Sequence, residues 1–300
     1  MKDNVDSNRI FAGPAGWSYA DWNGIFYPSG SGIDRLSFTA GYFNCVELNS
    51  SFYRIPTVEM VNSWSERVPS VERFRMTVKA FREFTHDRLL KDNTVREFIG
   101  RFKPLFESGR LGAFLFQFPW SFRHREESRR HLMKIGKLFR EYPIVAELRH
   151  GSWNCRDSFR LLSDYGFSLC SIDQPLIGDS MPPSSQITNS SLGYIRLHGR
   201  NRKDWFRKDA GRDQRYNYLY SEEEIKEWAD RAVEIAGKTD RLFIITNNHF
   251  RGQALVNAFQ IKSVLEKVKV DPPGSLREEY PVLNGISIHG KGQQNLPGLD

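Results

Sequence analysis

The segment IVAELRHGSWNCRDSFRLLSDYGFSLCSID, Ile144–Asp173, decides the fold. Ile144–Leu148 is a short β-rich run, Arg156–Tyr165 carries apolar residues at helical spacing, and Phe167–Ile172 is a second apolar run. Strand, helix and strand within roughly 30 residues make one βαβ unit, which demands a parallel sheet with helices on its faces. The alternation repeats on both sides. Further strand candidates are Phe11–Trp17, Cys45–Phe52, Phe74–Ala80, Ala113–Phe118, Tyr194–Leu197 and Leu242–Thr246, eight in all. Helical spacing fills most intervals, at Asp34–Phe43, Val58–Arg67, Val95–Phe106, Glu127–Phe139, Glu222–Ala236 and Ala254–Val268. The stretch Asp173–Ser191 is Pro- and Ser-rich, so a loop or a weak helix is expected there.

Eight units over roughly 260 residues predict an α/β fold, a closed (β/α)₈ TIM barrel in one domain. An open doubly wound sheet is the rival, but no Gly-rich turn follows the first strand. The predicted division is an N-terminal extension over 1–9, the barrel over 10–269, and a flexible C-terminal tail over 270–300, rich in Pro, Gly and Gln.

Composition narrows the class. In 300 residues, 39% are hydrophobic, 26% charged and 40 aromatic, which excludes disordered, collagen-like and coiled-coil chains. No apolar stretch approaches the ~18 residues of a membrane span, and Met1–Arg9 lacks the apolar centre of a signal peptide. Cys45, Cys155 and Cys170, odd in number and without CxxC spacing, argue against a disulfide scaffold or zinc ribbon. A soluble cytoplasmic protein with no membrane partner is expected. The charge is 43 − 36 = +7, which favours anionic partners. Oligomeric state is not legible.

Alternate residues along a strand face opposite sides of the sheet. One face of the second strand carries Val46 and Leu48, the other Glu47 and Asn49. Likewise Arg75, Thr77 and Lys79 share a face, as do Val145, Glu147 and Arg149, Ser171 and Asp173, and Arg196 and His198; Gln117 lies on the face opposite Phe116. The apolar face must meet the helices. The polar face is therefore predicted to point inward and to lead to the C-terminal mouth, where barrel enzymes keep their chemistry. A purely structural barrel would put Val, Ile and Leu at such positions.

The candidate catalytic residues are Glu47, Lys79, Glu147, Arg149 and His198. Glu47 or Glu147 would be a general base, Lys79 and Arg149 would stabilise developing negative charge, and His198 would carry the proton. Alternatively, Glu47 and Glu147 form the acid/base pair of glycoside hydrolysis, or the charges are a neutralised network filling the barrel. Candidate binding residues are Trp17, Asn49, Tyr53, Gln117, His150, Asp173, Arg196, Arg200, Asn247, His249 and Arg251. Glu47, Glu147, Asp173, His198 and His249 are ligand types for a metal, yet no HxH or HExxH spacing occurs and nearby Lys79, Arg149 and Arg196 would repel a dication, so no metal is predicted. No motif names a cofactor.

Aromatic residues follow the strands: Trp17, Tyr19, Trp22, Phe26, Tyr27, Phe52, Tyr53, Phe81, Phe84, Trp120, Phe122 and Trp153. Such rings stack on sugars or unpaired bases, or anchor loops. The segment Gly199–Tyr220 holds seven Arg/Lys, three Asp and five aromatic residues, so +4 of the chain's +7 lies there. Basic residues interleaved with rings suit phosphate and base contacts, and Arg200 and Arg251 are placed at the frequent phosphate site of barrels. A solvated lid is the plainer alternative.

Seven ordered motifs, GWSYADWNGIFYP (Gly16–Pro28), FNCVELNSSFYRIP (Phe43–Pro56), FRMTVKAFREFTHDR (Phe74–Arg88), LFQFPWSF (Leu115–Phe122), AELRHGSW (Ala146–Trp153), YIRLHGR (Tyr194–Arg200) and NNHFRGQA (Asn247–Ala254), resemble the YecE-like family, domain of unknown function 72. The resemblance runs from about Ile10 to Val268. It implies a TIM barrel similar in outline to apurinic-site endonucleases and xylose isomerases, and nucleic-acid binding has been proposed for the family on that basis. The chain lacks the histidines of a trinuclear zinc site, so that chemistry does not carry over. Motif residues Glu47, Asn49, Lys79, Gln117, Glu147, Arg149, His198, Asn247 and His249 match; the basic segment and the tail depart from the family.

The expected function is therefore an enzyme, a hydrolase or phosphodiester-acting one, taking an anionic phosphate-bearing substrate, nucleic acid included, at the barrel mouth. The alternatives are a non-catalytic nucleic-acid-binding module and, third, a carbohydrate-active hydrolase.

Overall fold

The computed structural model describes residues 9–30, 32–68, 74–205, 207, 209 and 211–289. Eight strands alternate with helices: β1 (Ile10–Pro14), α1 (Arg35–Ala40), β2 (Cys45–Leu48), α2 (Val58–Arg67), β3 (Arg75–Lys79), α3 (Arg82–Thr85), α4 (Asp92–Glu107), β4 (Leu111–Gln117), α5 (Glu126–Leu138), β5 (Ile144–Glu147), α6 (Arg156–Asp164), β6 (Phe167–Asp173), β7 (Gly193–Leu197), α7 (Arg212–Arg215), α8 (Glu222–Ala236), β8 (Leu242–Thr246), α9 (Gln253–Glu266) and α10 (Gly274–Glu279). All ladders are parallel, in the order β1-β8-β7-β6-β5-β4-β3-β2. The predicted (β/α)₈ barrel is therefore present, and residues 174–192 between β6 and β7 carry no helix.

The ring closes at a narrow seam. Between β1 and β2 only the bridge Ala15–Glu47 forms, and the Asn44 side chain replaces further rungs: its Oδ1 accepts from Ala12 N at 2.8 Å and its Nδ2 donates to Ile10 O at 2.9 Å. The strands pass so closely that a Cβ on Gly13 would run into the Cys45 carbonyl. Gly13→Ala is expected to spring this seam, costing about 3 kcal/mol as overpacking against rigid backbone. Equilibrium urea unfolding reads the loss; an unchanged midpoint would refute the close-approach account.

Helix ends follow their sequence signals. Ser221 caps α8 through a reciprocal box, its Oγ accepting from Glu224 N at 3.3 Å while Glu224 accepts from Ser221 N at 3.0 Å. The outward faces of β4 and β8 meet helices through Phe114, Phe116 and Ile244, all buried.

Inside, the barrel is layered. At the bottom Phe11 and Phe243 stack at 4.9 Å, with the Arg75 guanidinium 5.8 Å from the Phe11 ring. Above them lie Thr77, Tyr194, Glu47, Glu147 and Arg196, and at the top Lys79, Gln117, Arg149, His198 and Asn247.

The tail expectation is corrected. Leu276 of α10 and Leu283 are fully buried against Trp22, Phe26 and Phe259, and Ile288 N donates to Val270 O at 2.8 Å. Two apolar anchors and a backbone pairing hold the chain after Val270 to the barrel. Residues 290–300 of the predicted tail and residues 1–8 of the predicted N-terminal extension lie outside the described residues.

Candidate functional site

Four strands bring one ion network together. Arg196 of β7 is at its centre, donating from Nη2 to Glu47 Oε1 at 2.5 Å and from Nη1 to Glu147 Oε2 at 2.6 Å. Glu47 Oε2 accepts from the Tyr194 hydroxyl at 2.9 Å. Glu147 Oε1 accepts from Gln117 Nε2 at 2.6 Å, Arg149 Nε at 2.8 Å and His198 Nε2 at 3.1 Å. The Gln117 contact follows from register, since Gln117 and Glu147 are paired neighbours on β4 and β5. Glu47, Glu147 and His198 are 0% exposed and Arg196 1%, so neither carboxylate has a free lone pair facing solvent.

Electrostatics fixes the charge states. Burial works to raise the Glu147 pKa, but Arg196, His198 and Arg149 hold the carboxyl well below its ordinary range. His198 is pushed down to about 3, chiefly by burial; Arg149 and Arg196 lower it further, against the weaker upward pull of Glu147. Its Nδ1 accepts from Asn247 Nδ2 at 2.9 Å, which puts the ring hydrogen on Nε2, facing Glu147. His198 is thus a neutral, fixed donor, and the expected proton-carrier role finds no geometry. Glu47 and Glu147, bridged by one guanidinium, are likewise not placed as general base or as a glycosidase pair. Among the described residues no three His, Cys, Asp or Glu side chains converge as metal ligands.

β6 corrects the parity reading. Cys170 lies on the inner side, close enough to feel Glu147, Arg196 and Glu47, while Ser171 donates outward to Ser184 O and Asp173 points to the outer shell. There Asp173 accepts from Arg200 Nε at 2.8 Å and from Trp228 Nε1 of α8 at 3.0 Å. Both faces of β6 find polar partners, so polarity did not mark the inside.

Above the network the mouth opens as a cleft with two lobes that share Arg215 and Tyr216. One, of about 250 Å³, is lined by His86, Gln117, Trp120, Arg149, Gln174 and Trp205. The other, of about 260 Å³, is lined by Tyr19, Asn49, Tyr53, Lys79, Asn247 and His249, with Arg196 at its floor. The β7–α8 segment roofs the cleft: Trp205 and Tyr216 pack edge to face at 5.8 Å, and each ring lies 6.2 Å from His198. His249 stacks on Tyr19 at 4.5 Å.

Other expected ligand contacts lie elsewhere. Arg200 is held by Asp173, Glu224 at 2.9 Å and Glu227 at 3.3 Å, and Arg251 by Glu279, while the Arg251 backbone N–H already donates to Asp21. Neither guanidinium faces the cleft. His150 caps the turn Gly151–Trp153, its Nδ1 accepting from Ser152 N at 3.0 Å. Trp17 packs edge to face on Trp64. Of the aromatic rim, Trp22, Phe26, Tyr27, Phe84, Phe122 and Trp153 are buried packing residues, and only Tyr19, Tyr53 and Trp120 reach the cleft. Within the basic segment, Arg207 pairs with Asp204 and Asp209; Phe206, Lys208 and the Arg212 side chain lie outside the described residues.

Sequence reasoning did not single out His86, Gln174 or Arg215. The basic, aromatic composition of Gly199–Tyr220 pointed to the segment holding Arg215, but not to which of its cations turns inward.

The family profile described as "Protein of unknown function DUF72" matches residues 11–279. The chain belongs to the DUF72 family. The expected YecE-like resemblance is borne out, and the profile extends into α10. UPF0759 protein YunF of Bacillus subtilis is 29% identical over 273 residues, covering 86% of this chain and 95% of that protein. Two solved DUF72 proteins are each 30% identical over 86% of this chain: one from Enterococcus faecalis, TM-score 0.77 with 95% of its length covered, and one from Thermotoga maritima, TM-score 0.76 with 99% covered. This DUF72 chain thus shares its barrel with relatives along nearly their whole length.

Proposed function

We propose that the barrel mouth binds a phosphate-bearing ligand carrying a flat ring, a nucleotide or single-stranded nucleic acid, and acts on it. One observation carries this reading. Among the described residues lining the two lobes stand Lys79, Arg149, Arg196 and Arg215, and no Asp or Glu. The two carboxylates beneath, Glu47 and Glu147, offset two of the four cations; His198 adds none. An excess of positive charge therefore faces the opening. Such a cleft is costly to leave unpaired and well suited to an anion. Tyr19, Tyr53, Trp120, Trp205 and Tyr216 add ring faces beside the charges, as base stacking requires. Arg149, anchored through Nε to Glu147 and with Nη2 3.3 Å from His198 Nε2, lines the first lobe in a fixed pose.

A fluorescein-labelled single-stranded oligonucleotide titrated at several salt concentrations tests the proposal. Its affinity should fall with salt, log K against log salt sloping by about −0.7 for every phosphate engaged. Absent or salt-independent binding would overturn it.

A further inference from the structure

One group in the cleft has chemistry that anion binding does not use. Lys79 ends β3, half-buried in the second lobe, and among the described residues its amine has no hydrogen bond and no ion pair. Nζ lies 4.2 Å from the centre of the Phe52 ring instead. The charged groups around it come from several elements: Glu47 from β2, Arg196 from β7, Glu147 from β5 with Arg149 just after it, and His86 after α3. Both carboxylates are already engaged by Arg196, Arg149 and Tyr194. Burial first, then Arg196 and Arg149, outweigh the pull of Glu47 and Glu147 and bring the Lys79 pKa down to about 7. His86 beside it is neutral, lowered to about 4 by burial and by Lys79, Arg149 and Arg82. A lysine desolvated and set among other cations is the arrangement that frees an amine lone pair at neutral pH.

The lobe offers more than charge. Asn49 Oδ1 is buried and without a hydrogen-bond partner among the described residues, and Asn49 lines the same wall as Lys79. It is an acceptor waiting for a donor such as a sugar hydroxyl, since a buried acceptor left unpaired is costly. Arg215, with no ion pair among the described residues, stands where the lobes meet.

We propose that Lys79 is a nucleophilic amine that forms an imine with the carbonyl carbon of a phosphorylated open-chain sugar. This rests on the cleft being a phosphate site. The amine lone pair makes the N–C bond while the carbonyl π pair becomes a hydroxyl oxygen, its proton coming from the attacking nitrogen through water. The C–O bond then breaks and the oxygen leaves as water, taking the second nitrogen proton. Amine and carbonyl thereby give imine and water, with no change in oxidation state. The phosphate, held by Arg215 and Arg149, would offset the cations crowding Lys79. Asn49 would accept from a hydroxyl.

The test incubates the full chain with 2-deoxyribose 5-phosphate and sodium cyanoborohydride, which reduces an imine to a stable amine, followed by peptide mass mapping. One reduced adduct is expected, on the peptide bearing Lys79 and absent in Lys79→Arg. Its rate should rise through about pH 7, where an ordinary lysine would rise only near pH 10. Unphosphorylated 2-deoxyribose should label about tenfold more slowly. Adducts scattered over exposed lysines, or a Lys79 adduct with the pH profile of an ordinary lysine, would overturn the proposal. Oligonucleotide binding without a Lys79 adduct overturns the imine and leaves the phosphate site standing; equal labelling by both sugars keeps the imine and removes the phosphate site.

Discussion

Arg196→Met is expected to lower the stability of the barrel by about 3–5 kcal/mol, the cost of removing one partner from a buried ion pair. Met keeps the unbranched stem of the side chain but leaves Glu47 and Glu147, both fully buried, facing each other without the guanidinium that bridges them. Tyr194 keeps its bond to Glu47, and Arg149 its bond to Glu147, so the loss is large but not total. For a chain of this size the midpoint of thermal unfolding should fall by about 10 °C. The effect depends on pH in a defined direction. Glu147's folded pKa lies below its unfolded value near 4.3, so its contribution is present above that pH and lost as pH falls through the folded pKa. Without Arg196 that folded pKa rises. The gap between variant and parent should therefore narrow in acid. Urea unfolding at neutral and acid pH reads both; a loss below about 1 kcal/mol would mean the network fills space without holding the barrel.

Arg215→Glu is expected to weaken oligonucleotide binding about 100-fold while leaving the fold intact. The guanidinium stands where both lobes meet, so reversing its charge turns attraction into repulsion for a ligand in either lobe. A unit charge about 4 Å from another near a protein surface is worth about 4 kcal/mol before salt screening, and 2.7 kcal/mol already amounts to 100-fold. Arg215 makes no ion pair among the described residues, and its Nη2 bonds only to the Arg207 carbonyl, at 3.1 Å. Stability should accordingly change by no more than about 0.5 kcal/mol. Arg251→Glu is the matched control: it also reverses a cation near the mouth, changing the net charge by the same two units, but that cation is already paired with Glu279. Anisotropy titration of the three proteins separates the outcomes. Equal weakening by both variants would mean bulk charge, not the cleft, governs binding.

Both expectations depend on which charges are paired, and there the sequence was least legible. Strand parity carried Glu47, Lys79, Gln117, Glu147, Arg149, Arg196 and His198 to the barrel interior, because a period of two assigns faces regardless of partners. It failed on β6, where Asp173 finds Arg200 and Trp228 outside while Cys170 faces in. A polar residue marks the inside only where the outside has nothing polar to offer it. The tail misled for a related reason. Its Pro and Gly residues suggested looseness, yet Leu276 and Leu283 were enough to dock it, since two well-buried apolar side chains outweigh a loop-like composition.

The amino-acid sequence by itself determined the alternating βα architecture and the set of charged side chains lining the barrel, because both follow from local periodicity. The tertiary structure decided what those charges do. Glu47 and Arg196 are separated by 149 residues along the chain, and only closure of the barrel brings them together. That pairing engages the carboxylates, while burial beside Arg149 and Arg196 keeps His198 neutral. The +7 of the whole chain thereby narrows, at the mouth, to Lys79 and Arg215, two cations with no ion pair among the described residues. Ion pairing depends on distance in space, which no spacing along a chain encodes.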